Sequence, residues 1–285
     1  MTNTSEFKTV FSDTVWSDRF YRFLQVIFHL YPEDKFHHLI ASVSREKQSD
    51  EEIYKIVQSR LSTIKPFLSE FTFALPALKK QKKEMSRQVL QLLADKTSIN
   101  GYLEIGSTGR YISELRKHIS LSGDVYITND TAPNNSVGEI MERGQIGKIG
   151  KFFSLDNYQS ITPDQIPNES IDLVTCHIGL HHCPLELLEG YIKSLHRILR
   201  TGGQLIMRDH NVQSPEMATF VSLVHTVFNL GLKVSWAADS KEFICFKSID
   251  DWSRLITSYG FKDSGARILQ DKDPSDNTLV SFTKL

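Results

Sequence analysis

The chain has 285 residues, 40% of them hydrophobic and 24% charged, which is too apolar for a disordered protein and enough for a sizeable core. Lys and Arg number 33 against 34 Asp and Glu, so the net charge of -1 lacks the basic excess expected of a nucleic-acid binder. Three cysteines without paired spacing argue for a reducing compartment, no apolar run reaches the ~20 residues a bilayer demands, and MTNTSEFKTV is no secretory signal, so a cytoplasmic protein without a membrane partner is expected.

The first hundred residues read as helices. Phe20, Phe23, Leu24, Ile27 and Phe28 recur at helical spacing after Ser17-Asp18 and stop at Pro32. A second helix starts at Pro32, with Phe36, Leu39, Ile40 and Val43 on one face. Ser49-Asp50 caps a third, carrying Ile53, Ile56, Val57, Leu61 and Ile64 up to Pro66. A fourth begins at Pro76 and runs through Met85, Val89, Leu90 and Leu93. The lysines Lys79, Lys80, Lys82 and Lys83 in it read as a solvated helix face, the alternative being a phosphate-binding patch for RNA.

At about Asn100 the pattern changes. Short apolar runs, Gly101–Ile105, Val125–Asp130, Phe152–Leu155, Ile171–His177 and Gln204–Asp209, alternate with helical stretches, the clearest being Leu185–Leu199. A helical insertion at Pro215–Leu230, a helix at Trp252–Tyr259 and late strands near Phe261–Leu269 and Leu279–Leu285 follow. Strands alternating with helices predict an α/β fold, a mostly parallel sheet covered on both faces. The expected division is a helical N-terminal region over 1–95 and an α/β domain over 96–285, with an insertion at about 211–240.

Gly101-Tyr-Leu-Glu-Ile-Gly-Ser-Thr-Gly-Arg-Tyr111 reads as a strand, a glycine turn and a helix opening near Arg110. Glycine lets the backbone turn sharply and a ligand approach, and N–H groups at a helix start favour an anionic or polar ligand group. Asp130 closes the next strand, where an acid accepts hydrogen bonds from ribose hydroxyls or, more blandly, caps a turn. Asp156-Asn157 closes the third strand and could meet an adenine edge.

These stretches resemble the class I S-adenosylmethionine-dependent methyltransferases over about residues 95–285. The motifs are Leu-Glu-Ile-Gly-Ser-Thr-Gly-Arg at 103–110, Ile-Pro-Asn-Glu-Ser-Ile-Asp-Leu-Val at 166–174, Leu-His-His at 180–182 and Leu-His-Arg-Ile-Leu-Arg-Thr-Gly-Gly-Gln-Leu-Ile at 195–206. The resemblance implies a Rossmann-like seven-stranded sheet with S-adenosylmethionine as cofactor. Glu104 and the loop Gly106-Ser107-Thr108-Gly109 would line its methionine side, Asp130 would hold the ribose, Asp156 and Asn157 would flank the adenine, and His177 would lie beside the methyl group. The family's loop reads E-x-G-x-G-x-G, whereas this one is a residue shorter and lacks the middle glycine. A nicotinamide enzyme is disfavoured, because the only Tyr-x-x-x-Lys pair, Tyr31 and Lys35, lies upstream of the loop and contains Pro32.

Methyl transfer asks the protein to align nucleophile and methyl, with a base only where the nucleophile keeps its proton. The candidates lie after the fourth and fifth strands: His210 first as base or substrate anchor, then Asp209 and His177. His181 and His182 of the Leu-His-His turn are expected to shape the loop. With Cys176, His177 and Cys183 they match no standard zinc spacing, so no metal is expected. The expected function is methylation of an O or N nucleophile on a small molecule. The alternatives are a cofactor-binding module with lost or partner-dependent activity, prompted by the shortened loop, and an RNA methyltransferase. Oligomeric state is left open.

Overall fold

The computed structural model describes residues 5–28, 31–64, 75–93, 96–136, 139–140, 143–144, 147, 149–177 and 179–285, with backbone alone at 75–78. Pro66 lies outside them. Two compact units divide the chain. One, here the helical unit, comprises Met1–Ala77, His210–Phe246 and Leu269–Asn277; the other, the sheet unit, comprises Leu78–Asp209, Lys247–Ile268 and Thr278–Leu285.

In chain order the first helices are α1 (Glu6–Ser12), α2 (Thr14–Val26), α3 (Glu33–Glu46), α4 (Asp50–Ile64) and α5 (Leu75–Leu93). Then come β1 (Ser98–Ile105), α6 (Ile112–Leu115), β2 (Ser120–Asn129), β3 (Lys151–Ser154), β4 (Ile171–Cys176), α7 (Leu185–Ile198) and β5 (Leu199–His210). The chain closes with α8 (Pro215–Gly231), α9 (Trp236–Asp239), α10 (Ile249–Thr257), β6 (Phe261–Leu269) and β7 (Asn277–Lys284).

The helical unit owes its elements to caps and an aromatic core. Ser5 accepts from the backbone N–H of Lys8 and starts α1, while Asp13 accepts from those of Val15 and Trp16 and starts α2, four residues ahead of the expected cap at Ser17. The extra helix α1 is only seven residues long, and its Phe7, Val10 and Phe11 at helical spacing make too short a run to stand out from the sequence. Ser49 accepts from Glu52 N–H at 3.3 Å and bonds the Glu52 carboxylate, anchoring α4. Phe7, Phe20, Phe23, Phe36 and Tyr54 form one apolar cluster with Phe220 and Val224 of α8. Each such ring contributes roughly 1.5–3 kcal/mol on burial.

The sheet unit carries a seven-stranded sheet in the order β3-β2-β1-β4-β5-β7-β6. The pairs β1–β2, β1–β4, β2–β3 and β4–β5 are parallel. Alternation along the strands separates two cores. Leu103, Ile105, Val174, Cys176, Leu205 and Met207 pack with α7 and α10, whereas Tyr102, Leu173 and Ile206 pack with α5 and α6. Between Leu199 and Gln204 the strand bulges at Gly202 and Gly203, since only one residue separates their partners Ile171 and Leu173 on β4.

Candidate functional site

Parallel register brings the carboxyl ends of the central strands level: Ile105 stands beside Thr128 and Cys176, Asn129 beside Ser154, and Cys176 beside Met207. In an open α/β sheet this edge receives the ligand. Every cofactor residue named from the sequence lies on it, within the sheet unit.

The glycine turn is wired to its own strand. Gly106, at φ 75°, donates its N–H to Thr128 O at 2.8 Å. Ser107 Oγ accepts the N–H groups of Gly109 and Arg110, each at 3.0 Å, and donates to Glu104. Tyr111 N–H reaches the same Glu104 oxygen at 3.2 Å, and Tyr102 OH donates to the other at 3.1 Å. Glu104 is fully buried, and burial holds its carboxyl above the usual range against these hydrogen bonds and the Arg110 charge. It therefore braces the turn, while Ser107 does the work of the missing glycine by closing the shorter loop. Gly109, at φ 92°, packs so tightly that a Cβ there would lie 2.9 Å from Ile149 Cδ1 and 3.0 Å from Ile127 Cδ1. The helix expected from Arg110 is a single turn, α6, which starts at Ile112.

Asp130 stands exposed just past β2, and no described protein group bonds its carboxylate. Asp156 and Asn157, also exposed, sit with Tyr158 in a left-handed turn at φ 47°, 52° and 62°. Strain of about 1–3 kcal/mol per such residue persists only where its surroundings impose it, often at ligand clamps. Here Tyr158 is the anchor, its ring buried edge-on against Tyr191 at 5.2 Å. Burial raises its phenol, with Cys176, Tyr191, Cys183 and Asp130 adding to the effect.

His177 follows β4 with its ring 4.3 Å from that of Tyr111, and neither ring nitrogen has a partner among the described residues. Burial, then the Arg208 and Arg110 charges, depress it to about 3. A neutral imidazole of that kind offers one donor and one acceptor but is a poor base near pH 7.

Asp209 and His210 point to opposite faces of β5, as consecutive strand residues must. The Asp209 carboxylate thus serves not His210 but His181, whose Nδ1 lies 2.8 Å from Oδ1, while Oδ2 accepts Leu180 N–H at 2.9 Å. His210 belongs to the helical unit. Its Nδ1–H donates to Ser275 O at 2.9 Å, and its Nε2 lies 3.3 Å from His225 Nε2. His181 is the residue whose partnership the sequence hid: a Leu-His-His turn reads as loop geometry, and only strand parity at Asp209 hinted at the pairing. The Cys176 and Cys183 thiols donate to Gly179 O and Pro184 O. On α5, Lys79, Lys80 and Lys83 are exposed and Lys82 is buried.

A family model described as a methyltransferase domain matches residues 77–264, well over half of the chain. A search of curated proteins found no match. Among solved structures, the CurJ carbon methyltransferase aligns over 95% of this chain and 70% of its own at 15% identity and a TM-score of 0.51. The 1,6-didemethyltoxoflavin-N1-methyltransferase of Burkholderia thailandensis, crystallised with S-adenosylhomocysteine, aligns over 71% and 78% at 12% identity and a TM-score of 0.49. The N-methyltransferase NodS of Bradyrhizobium japonicum WM9 aligns over 86% and 98% at 14% identity and a TM-score of 0.47. The likeness to the CurJ enzyme speaks to fold, and the domain match to membership. Strand order, glycine turn and domain match agree that the chain belongs to the class I S-adenosylmethionine-dependent methyltransferases, with S-adenosylmethionine as cofactor.

Proposed function

We propose that the chain methylates a small molecule at an O or N nucleophile, with the cofactor held along the carboxyl edge of β1, β2, β3 and β4. The bare carboxylate of Asp130 carries this reading: it stands at the strand end where two ribose hydroxyls need an acceptor. Buried polar atoms past the ends of β1 and β4 fit the same ligand. Thr108 Oγ1 and both His177 nitrogens lack partners among the described residues, and such groups cost about 1–3 kcal/mol each until something bonds them.

When bound, S-adenosylmethionine supplies a methyl group on a sulfonium, a good leaving group. The residues of this chain then have to bind, orient and keep water out. Asp130 takes the ribose, and the strained turn at Asp156 and Asn157 flanks the adenine. Gly106 to Gly109, braced by Glu104, lie along the methionine side. His177, neutral, gives a hydrogen bond beside the methyl. His210, whose tautomer Ser275 sets, and Asp209 are the sequence-derived candidates for proton handling.

Calorimetry with S-adenosylhomocysteine tests the cofactor site: Asp130→Ala is expected to weaken binding at least tenfold, and an unchanged affinity removes the ribose assignment. Incubation with a cell extract and tritium-labelled cofactor tests the substrate class. Label in the small-molecule fraction is expected; label confined to RNA or protein overturns it. The net charge of -1 favours the small-molecule outcome.

A further inference from the structure

His210 ends β5 and His225 lies on α8, both in the helical unit. Their Nε2 atoms face each other at 3.3 Å, with the ring planes 76° apart. Ser275 O takes the hydrogen of His210 Nδ1 at 2.9 Å, so in the neutral ring Nε2 presents its lone pair toward His225. Ser275 is itself fixed, since its N–H and its hydroxyl both donate to Asp273 Oδ1, at 2.8 Å and 2.6 Å. His210, Ser275 and Asp273 are all buried. Phe246 stands against both imidazoles, its ring 6.0 Å from His210 and 5.4 Å from His225, and gives them an apolar wall.

We infer that His210 and His225 together hold a first-row divalent cation, zinc foremost. Zinc–nitrogen bonds of about 2.0–2.1 Å in a tetrahedral shell put two imidazole nitrogens about 3.3–3.4 Å apart, which is the separation here. A well-formed hydrogen bond from a ring N–H would close to about 2.7–3.2 Å. Metal-binding histidines almost always give their other ring N–H to a carbonyl or carboxylate, and Ser275 O, backed by Asp273, fills that place behind His210. A pair packed for shape alone asks for neither. Imidazole suits zinc, copper and nickel, so the class of ion follows from the donor atoms.

A second observation asks for positive charge at the same place. Asp273 Oδ2 is buried without a hydrogen-bond partner among the described residues, and a carboxylate in that condition is costly until a cation offsets it. A divalent ion on the two imidazoles, separated from Asp273 by Ser275, supplies that charge. It ties the last residue of β5 to α8, and water completes its shell. While the ion is bound, His210 Nε2 cannot carry a proton, so His210 serves as a base only in the ion-free chain. The ion site does not depend on the methyltransferase reading.

The test uses the full chain, stripped with a chelator and dialysed. Calorimetry with S-adenosylhomocysteine on the same preparation reads the cofactor site separately. Calorimetry with zinc chloride is expected to show saturable binding, and cobalt chloride to give the visible absorption of a four-coordinate site. His210→Gln and His225→Gln are each expected to weaken zinc at least tenfold, whereas a control at the exposed His118, His118→Gln, leaves the affinity unchanged. Zinc should raise the thermal midpoint of the wild-type chain and not that of either variant. Should a variant fail to fold by circular dichroism, the wild-type chain loaded with one equivalent of copper decides, its electron spin echo being expected to count at least two imidazoles. No zinc binding, a copper echo with fewer than two imidazoles, unchanged affinity in either folded variant, or an equal loss in His118→Gln overturns the site.

Discussion

The helical unit and the sheet unit bury different chemistry. Helices α1 to α4 enclose a core of phenylalanines, aliphatics and tyrosine in which Ser44 is the only buried polar residue among those described. The sheet unit instead buries Glu104, Thr108, Thr175, His181, Arg208 and Asp209, all on or just beyond the carboxyl halves of strands β1, β4 and β5. Burying a polar group costs free energy unless it is bonded, so such a concentration persists where strong local partners or a ligand offset the cost. Helices α1 to α4 are built by shape, whereas the helical unit's other buried polar groups, His210, Asp273 and Ser275, lie outside those helices.

The largest expected effect strikes the shape-built unit. Phe220 is fully buried against Trp16 and Phe20, at ring distances of 5.4 Å and 6.0 Å. Phe220→Ala should cost about 3–5 kcal/mol in denaturant unfolding. A loss below about 1 kcal/mol would show that the aromatic cluster collapses freely and that the contrast is overdrawn. Next in size, Asp130→Ala should remove about 1.5–3 kcal/mol of S-adenosylhomocysteine binding while leaving the unfolding midpoint in place, since no described protein group bonds that carboxylate. A stability loss matching the affinity loss would make Asp130 structural.

The two units should also answer pH in opposite directions. Burial, aided by the Asp50 and Asp239 charges and opposed by Ser222, raises Glu6 in the helical unit from 4.5 to about 7. Its folded state holds the proton more tightly, so its contribution is complete below pH 4.5 and lost as pH rises through 7. His177 in the sheet unit is lowered from 6.5 to about 3, so its contribution is complete above pH 6.5 and lost as pH falls toward 3. Thermal unfolding across pH 4 to 8 should show Glu6→Gln flattening the alkaline slope and His177→Gln flattening the acid one. Identical profiles for wild type and both variants would erase the distinction.

The smallest effect concerns the strained turn. Asn157 sits at φ 52°, a conformation glycine adopts freely. Asn157→Gly should stabilise by about 0.5–1 kcal/mol and weaken S-adenosylhomocysteine slightly, through loss of the side chain. Destabilisation would mean that the asparagine side chain, rather than the backbone, holds the turn.

Much of this was legible beforehand. The alternation of Leu103 and Ile105 with Tyr102 and Glu104, repeated at Val174 and Cys176, announced strands covered on both faces, and the glycines after Ile105 announced the sharp turn at the end of β1. Phe20, Phe23 and Leu24 announced a helix, though not that α8, more than 190 residues later, completes their core. An amphipathic helix declares that one face is buried without declaring what covers it.

The sequence by itself determined the element types, the parallel sheet and the residues at its carboxyl edge, because period and turn chemistry are local properties of the chain. Only the tertiary structure decided that Glu104 braces the turn from within, that Ser107 closes the shortened loop, that burial silences His177 as a base, and that Asp209 turns from its neighbour His210 to His181. Those outcomes depend on burial and on which side chains converge from distant segments, and neither is written in the spacing of residues along one strand.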